Sequence, residues 1–264
     1  MVTETTRLPS ASKKADARLK PPSKRLLASE SRWVIELALS LAAMPILLNA
    51  KRGDGHPVLV LPGFLTSDRS TTVLRRYLKA LGYDVHGWEL GRNLGGMRSM
   101  QSKLSARLAA VYAKTCRKVS IVGWSLGGVY ARELALSNPA AVRSVITLGS
   151  PFAGDISATN ATRLYALLSG ETISSIDAAD LTRLGGNLPV PVTSLYSKSD
   201  GIVNWRTSRL VENERAENIE VRASHLGLGV NPAVLWAVAD RLALPEDTFK
   251  RFARRGPFAL AYPR

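Results

Sequence analysis

Cysteine and histidine are both scarce in this chain. A single cysteine, Cys116, among 264 residues excludes an intramolecular disulfide, so the fold does not depend on an oxidising compartment. Cys116 itself, in Ala-Lys-Thr-Cys-Arg-Lys, is read as a packing or surface residue. There are three histidines, His56, His86 and His225, and no Cys/His cluster at metal-ligand spacing, so no metal is expected. Aromatic residues make up 6% of the chain and none interleaves the basic residues of positions 1–32. Stacking on single-stranded nucleic acid is therefore unsupported, and no nucleic-acid partner is expected. No internal repeat is present. Apolar residues, at 45%, are plentiful enough for a buried core, which excludes a wholly disordered chain.

Acidic residues are rare at the two ends. Residues 1–32 hold eight Lys/Arg against three acids, and residues 248–264 hold five Lys/Arg and no acid, so most of the net charge of +15 sits outside the body. Basic ends favour anionic partners such as lipid headgroups; the plainer reading is solvated, frayed tails. Residues 1–32, with Pro21-Pro22 and many Ser and Lys, are expected to be a disordered basic tail, and residues 248–264 a basic C-terminal tail. Between them lie an apolar helix over 33–50 and a body over 51–247 of single-domain size.

The 33–50 segment is interrupted only by Glu36, Ser40, Pro45 and Asn49. Glu36 and Ser40, four apart, form one narrow polar stripe on a helix. Three readings stay open: a helix packed on the domain, a membrane-associated helix flanked by Arg32 and Lys51-Arg52, or a secretory signal. A long leader and no small-x-small cleavage site argue against the last. A cytoplasmic location, with membrane association through 33–50 as the variant, is the expectation.

From Lys51 onward, strand and helix patterns alternate. Val58-Leu-Val-Leu61 is a continuous apolar run, as in a strand buried on both faces of a parallel sheet. Helices are predicted over 70–81, 101–114, 125–137 and 232–244, and strands over 83–88, 118–122, 142–148, 192–196 and 219–221. The alternation implies an α/β fold, a mainly parallel sheet flanked by helices. Residues 155–189 interrupt it and are expected to form a small helical cap over the site.

The chemistry centres on Lys118-Val-Ser-Ile-Val-Gly-Trp-Ser-Leu-Gly-Gly128, which contains Gly123-x-Ser125-x-Gly127. Here an apolar strand turns sharply into a helix. Small residues at Gly123 and Gly127 let the backbones approach while Ser125 is held up at the sheet edge. A serine hydroxyl needs an adjacent base. With Ser125 as nucleophile, the order serine–acid–histidine leaves His225 as base, because His56 and His86 precede the serine and read as structural. Asp200, in the loop Ser197-Lys-Ser-Asp-Gly-Ile-Val203, is the preferred acid; Asp155 is its rival. The amides of Leu126 and Phe64 are the candidate oxyanion donors, with Gly63 allowing the backbone to turn. Loss of one such donor costs about 2.7–4 kcal/mol of transition-state stabilisation. Trp124, Phe152 and Leu164 are candidate substrate contacts.

With these residues in order, the sequence over about 56–245 resembles the α/β-hydrolase superfamily, in its bacterial lipase/esterase-like branch. The resemblance rests on Pro62-Gly-Phe64, Gly123-Trp-Ser-Leu-Gly-Gly128, Ser199-Asp-Gly-Ile-Val203 and Ser224-His-Leu-Gly227. It implies hydrolysis of a carboxylic ester, lipid-like or acyl, through an acyl-enzyme, with no cofactor. The His-Gly pair common before a lipase oxyanion residue is Pro62-Gly63 here, which favours an esterase over an extracellular lipase. An acyltransferase with the same triad, and a non-catalytic binding protein on the same scaffold, are the alternatives.

Overall fold

In the computed structural model, residues 19–155, 158–162 and 178–263 are described. Six strands form one sheet in the order β2-β1-β3-β4-β5-β6, every neighbouring pair parallel: β1 (Pro57–Leu61), β2 (Asp84–Gly87), β3 (Val119–Trp124), β4 (Val142–Leu148), β5 (Val192–Tyr196) and β6 (Ala216–Glu220). β1 and β3 are buried along their whole length, as the unbroken apolar run of β1 requires when helices cover both faces; in β3 the buried Ser120 hydroxyl is hydrogen-bonded to His56.

Alternate side chains of β1 enter opposite layers. Val58 and Val60 pack with Leu74 and Leu78 of α4 (Thr72–Ala80) and Val234 and Val238 of α8 (Pro232–Leu242). Leu59 and Leu61 pack with Leu104 and Leu108 of α5 (Met97–Thr115) and Val129 and Leu134 of α6 (Leu126–Ser137). Cys116 is exposed after α5 in a left-handed conformation that ends the helix. The last strand covers 216–220 rather than 219–221, because Ala216 to Ile219 pair with Val192 to Leu195.

The two chain ends differ most from the sequence expectation. Of the stretch expected to be a disordered tail, 1–18 lie outside the described residues, and the described part contains α1 (Lys24–Ala28) and a 3₁₀ turn over Ser29–Arg32. The apolar segment is two helices, α2 (Trp33–Ala42) and α3 (Met44–Leu47), separated at Ala43 ahead of Pro45. Among the described residues, no helix is long and apolar enough to cross a membrane. The C-terminal tail also packs: Phe252 stacks edge-on against Tyr262, whose hydroxyl donates to the Ala233 carbonyl at 2.6 Å.

The polarity of α2 is inverted. Glu36 and Ser40 are buried, whereas Val34, Ile35, Leu39 and Leu41 are 54–63% exposed. The narrow polar stripe faces the domain, and the apolar residues face outward.

The 155–189 interruption bridges to the body through Thr159, paired with Val203. It includes α7 (Ala178–Gly185). Leu164, with the rest of 163–177, lies outside the described residues.

Candidate active site

Ser125 stands between β3 and α6 with φ 53° and ψ −122°. Positive φ is costly for a side chain with a Cβ, of order 1–3 kcal/mol, and persists only where neighbours hold it. Here the Ser125 N–H donates to the Leu148 carbonyl at 2.8 Å and the Ser125 carbonyl accepts from Gly128 at 3.0 Å. The flanking glycines have steric reasons. A Cβ on Gly123 would lie 2.3 Å from the Gly127 carbonyl oxygen, and one on Gly127 would lie 2.4 Å from that of Leu61. A Cβ on Gly63 would stand 3.2 Å from the Ser125 Cβ, so the loop after β1 lies directly against the serine.

Asp200 and His225 come from different loops, after β5 and after β6. Their side chains are buried and joined, His225 Nδ1 to Asp200 Oδ2, at 2.6 Å. The other Asp200 oxygen accepts the backbone N–H groups of Ile202 at 2.8 Å and Val203 at 2.7 Å, which fixes the carboxylate. Gly149, at φ 55°, allows the approach: a Cβ there would sit 3.1 Å from Asp200 Oδ2 and 3.2 Å from His225 Nδ1. Burial works against a charged His225 imidazole, but the charge and hydrogen bond of Asp200, with the charge of Glu30, outweigh it, and the pKa lies above the ordinary histidine value.

Ser125 and His225 border one cavity of about 270 Å³. Its walls are mainly apolar, with Leu27, Phe64, Trp124, Ile202 and Leu226. Among the described residues no hydrogen bond joins the Ser125 hydroxyl to the imidazole; His225 Nδ1 is occupied by Asp200, which leaves Nε2 for any partner in the cavity. Leu126 opens α6, where an N–H has no acceptor within the helix. Phe64 lies in the cavity wall on the Pro62–Thr66 loop. Asn93 ties that loop down: its Nδ2 donates to the Pro62 carbonyl at 3.0 Å and its carbonyl accepts the Leu65 N–H at 2.7 Å.

Of the candidate substrate contacts, Trp124 borders the cavity and donates its indole N–H to the His225 carbonyl at 3.1 Å. Phe152 is buried away from it, 4.3 Å beneath the Arg132 guanidinium, in the layer with α5 and α6. Asp155 belongs to the chain leaving β4, and His225 turns to Asp200 instead. His56 is fully buried between Asp54 and Ser120, and His86 pairs with Asp84 at 3.0 Å, so both serve local structure. Among the described residues no cluster of His, Cys, Asp and Glu could hold a metal.

Three parts of the site escaped the sequence reading. Asn160 and Ala161, unnamed within the segment expected to cap the site, reach the cavity from the 155–189 interruption, and Leu27 reaches it from α1. Glu30 and Glu36 accept backbone N–H groups of the His225 loop. The one available signal was the Glu36/Ser40 stripe, whose inward direction the pattern could not give.

No protein-family sequence model matches the chain, and no curated protein is significantly similar to it. Solved structures are similar in three dimensions. Bacillus licheniformis lipase BlEst2 in its mature form superposes with TM-score 0.56 at 20% identity, over 74% of this chain and 94% of that one. A Paleococcus ferrophilus monoacylglycerol lipase superposes with TM-score 0.54 at 14% identity, over 74% and 96%. For Aspergillus fumigatus lipase B the TM-score is 0.53 at 19% identity, over 72% of this chain and 52% of that one, so the match spans about half of the fungal enzyme. Sequence identities this low speak for architecture, and with the parallel six-stranded sheet they show that the chain has the α/β-hydrolase fold.

Proposed function

We propose that the protein is a serine hydrolase that cleaves carboxylic esters through an acyl-enzyme. The observation that carries this reading is the buried 2.6 Å Asp200–His225 pair bordering the same apolar cavity as Ser125 on its strained turn.

Ser125 Oγ attacks the ester carbonyl while His225 Nε2 takes the hydroxyl proton. Asp200 holds Nδ1–H, which sets the tautomer and stabilises the imidazolium. The oxyanion is bound by the N–H groups of Leu126 and Phe64. His225 then protonates the leaving alcohol. Water attacks the acyl-enzyme by the same route and releases the acid. The Ser125–His225 hydrogen bond forms when substrate fills the cavity; such bonds are commonly long in empty sites. No step calls for a cofactor.

The apolar walls favour an acyl or lipid-like ester. We further place the reaction at an anionic lipid surface. The outward apolar side chains of α2 support this, as do exposed Lys24 and Arg25 on α1, the helix that also brings Leu27 to the cavity. A single, exposed, unpaired Cys116 fits a reducing cytoplasm.

The deciding experiment is turnover of p-nitrophenyl esters of increasing chain length by the wild-type chain and Ser125→Ala. Loss of turnover, and of labelling by a fluorophosphonate probe, supports the reading. Equal turnover by the variant overturns it.

A further inference from the structure

Two buried carboxylates precede the hydrolase domain in sequence and take no part in the mechanism above. Glu30, in the turn between α1 and α2, is 4% exposed. Its Oε1 accepts the N–H of Gly201 at 2.7 Å and that of His225 at 3.0 Å, and its Oε2 accepts the N–H of Leu226 at 2.9 Å. One carboxylate thus binds the residue after the acid and the backbone of the base, from two separate loops. Glu36 continues the row, accepting the Ser224 N–H at 2.8 Å and the Asn231 side-chain amide at 2.9 Å. The segment sits tightly: a Cβ on Gly201 would lie 2.3 Å from the Leu26 carbonyl oxygen.

The two carboxylates differ in charge balance. Arg32 lies 3.4 Å from Glu36, and it also donates to the carbonyls of Ser199 and Ala223. Glu30 has no cationic partner among the described residues; only backbone N–H groups satisfy it. A carboxylate held by amides alone has no countercharge beside it, and burial screens its field weakly.

From this arrangement we infer that Glu30 is a positioning residue for the base: it locks the Asp200 and His225 loops to each other and lends its charge to the imidazolium formed at His225. This rests on the reading of His225 as the proton carrier. The charged groups meeting the His225 loop are Asp200 from the β5 loop, Glu30, and the balanced Glu36–Arg32 pair. The β3–α6 turn brings the neutral Trp124, and the chain after β4 brings Gly149. Among the described residues, Glu30 is therefore the one uncompensated charge besides Asp200 beside the base. The raised His225 pKa agrees in direction, with burial opposing and Asp200 and Glu30 both supporting it.

The test follows the His225 ring proton by NMR against pH in the full chain carrying Ser125→Ala, with and without Glu30→Gln. The midpoint is expected to fall by about half a pH unit or more when the charge is removed. In the active chain, Glu30→Gln is expected to move the acid limb of kcat/KM down by the same amount. It should also lower kcat about tenfold, with KM nearly unchanged. Replacing the whole pair, Arg32→Gln with Glu36→Gln, loosens the same loop without changing net charge and is expected to lower the melting temperature and leave the midpoint in place. A midpoint that Glu30→Gln does not move, or that the pair replacement moves equally, overturns the inference. Should Glu30→Gln not fold, Glu30→Asp is read instead: a held midpoint with lowered kcat supports the role, and an unchanged kcat overturns it. The NMR midpoint needs no turnover, so it stays separate from failure of the ester-hydrolase reading, which would show as an inactive wild type.

Discussion

Asp200 Oδ2 and His225 Nδ1 meet at 2.6 Å although 25 residues and a strand separate them, and neither side chain is open to solvent. The geometry makes Asp200 an acceptor at every oxygen contact it has, two amides on Oδ1 and the ring on Oδ2. Asp200→Asn keeps the shape but presents an amide where an acceptor is needed, which favours the wrong tautomer. It is expected to lower kcat about 10⁴-fold with KM changed only a few-fold. Steady-state kinetics on a p-nitrophenyl ester checks this, and circular dichroism confirms that the variant is folded.

The glycines around the serine separate stability from rate. At Gly127 a Cβ meets the Leu61 carbonyl oxygen at 2.4 Å, so β1 and the turn must move apart. Gly127→Ala is expected to destabilise the protein by about 1–3 kcal/mol, read as a lower urea midpoint. At Gly63 the added Cβ would meet the Ser125 Cβ at 3.2 Å, a distance a few tenths of an ångström can relieve. Gly63→Ala is expected to keep most of the stability and lose rate, because the displaced atoms are those of the nucleophile.

The sheet was legible from the chain because its central strands are largely apolar, Val58 to Leu61 without a break and Val119 to Val122 with Ser120 alone interrupting, and because each is followed by a helical period. The turn at Ser125 was legible for a steric reason: it tolerates only small neighbours, and Gly123 and Gly127 report it. The scarcity of histidine singled out His225, which the structure brings against Asp200. The N-terminal segment misled. Its Ser, Lys and Pro content matches disorder, yet Glu30 finds three backbone N–H donors 170 or more positions away. No local pattern encodes such a bond. The direction of the Glu36/Ser40 stripe was equally hidden, since periodicity gives a face but not what it meets. Phe152 was a candidate substrate contact by its apolar character; its packing under Arg132 is a tertiary fact.

The charge state of His225 has a definite sign. The folded-state pKa is raised above the ordinary histidine value, and in the proposed mechanism the ring must be neutral to accept the serine proton. The rate is therefore expected to fall with decreasing pH through a midpoint above the ordinary imidazole value, seen as the acid limb of kcat/KM. Stability runs the other way. A raised histidine pKa stabilises the fold fully below the unfolded-state value, and the contribution is lost as pH rises through the folded one. His225→Gln is accordingly expected to cost more stability at about pH 5 than at about pH 9, measured by urea unfolding at each pH.

The inverted α2 makes the lipid-surface proposal separable from catalysis. Ile35 and Leu39 are 63% and 54% exposed, so replacing them with serine removes little buried contact. Exposed apolar area contributes about 25 cal/mol per Å² when it enters a lipid interface. The double variant Ile35→Ser/Leu39→Ser is expected to bind vesicles containing phosphatidylglycerol at least tenfold more weakly, while hydrolysing a water-soluble short-chain ester at the wild-type rate. Vesicle co-sedimentation and short-chain kinetics read the two effects apart. Binding that survives the double variant would sink the contact, and a monomer–dimer shift in sedimentation on substitution would instead identify a second copy as the covering partner.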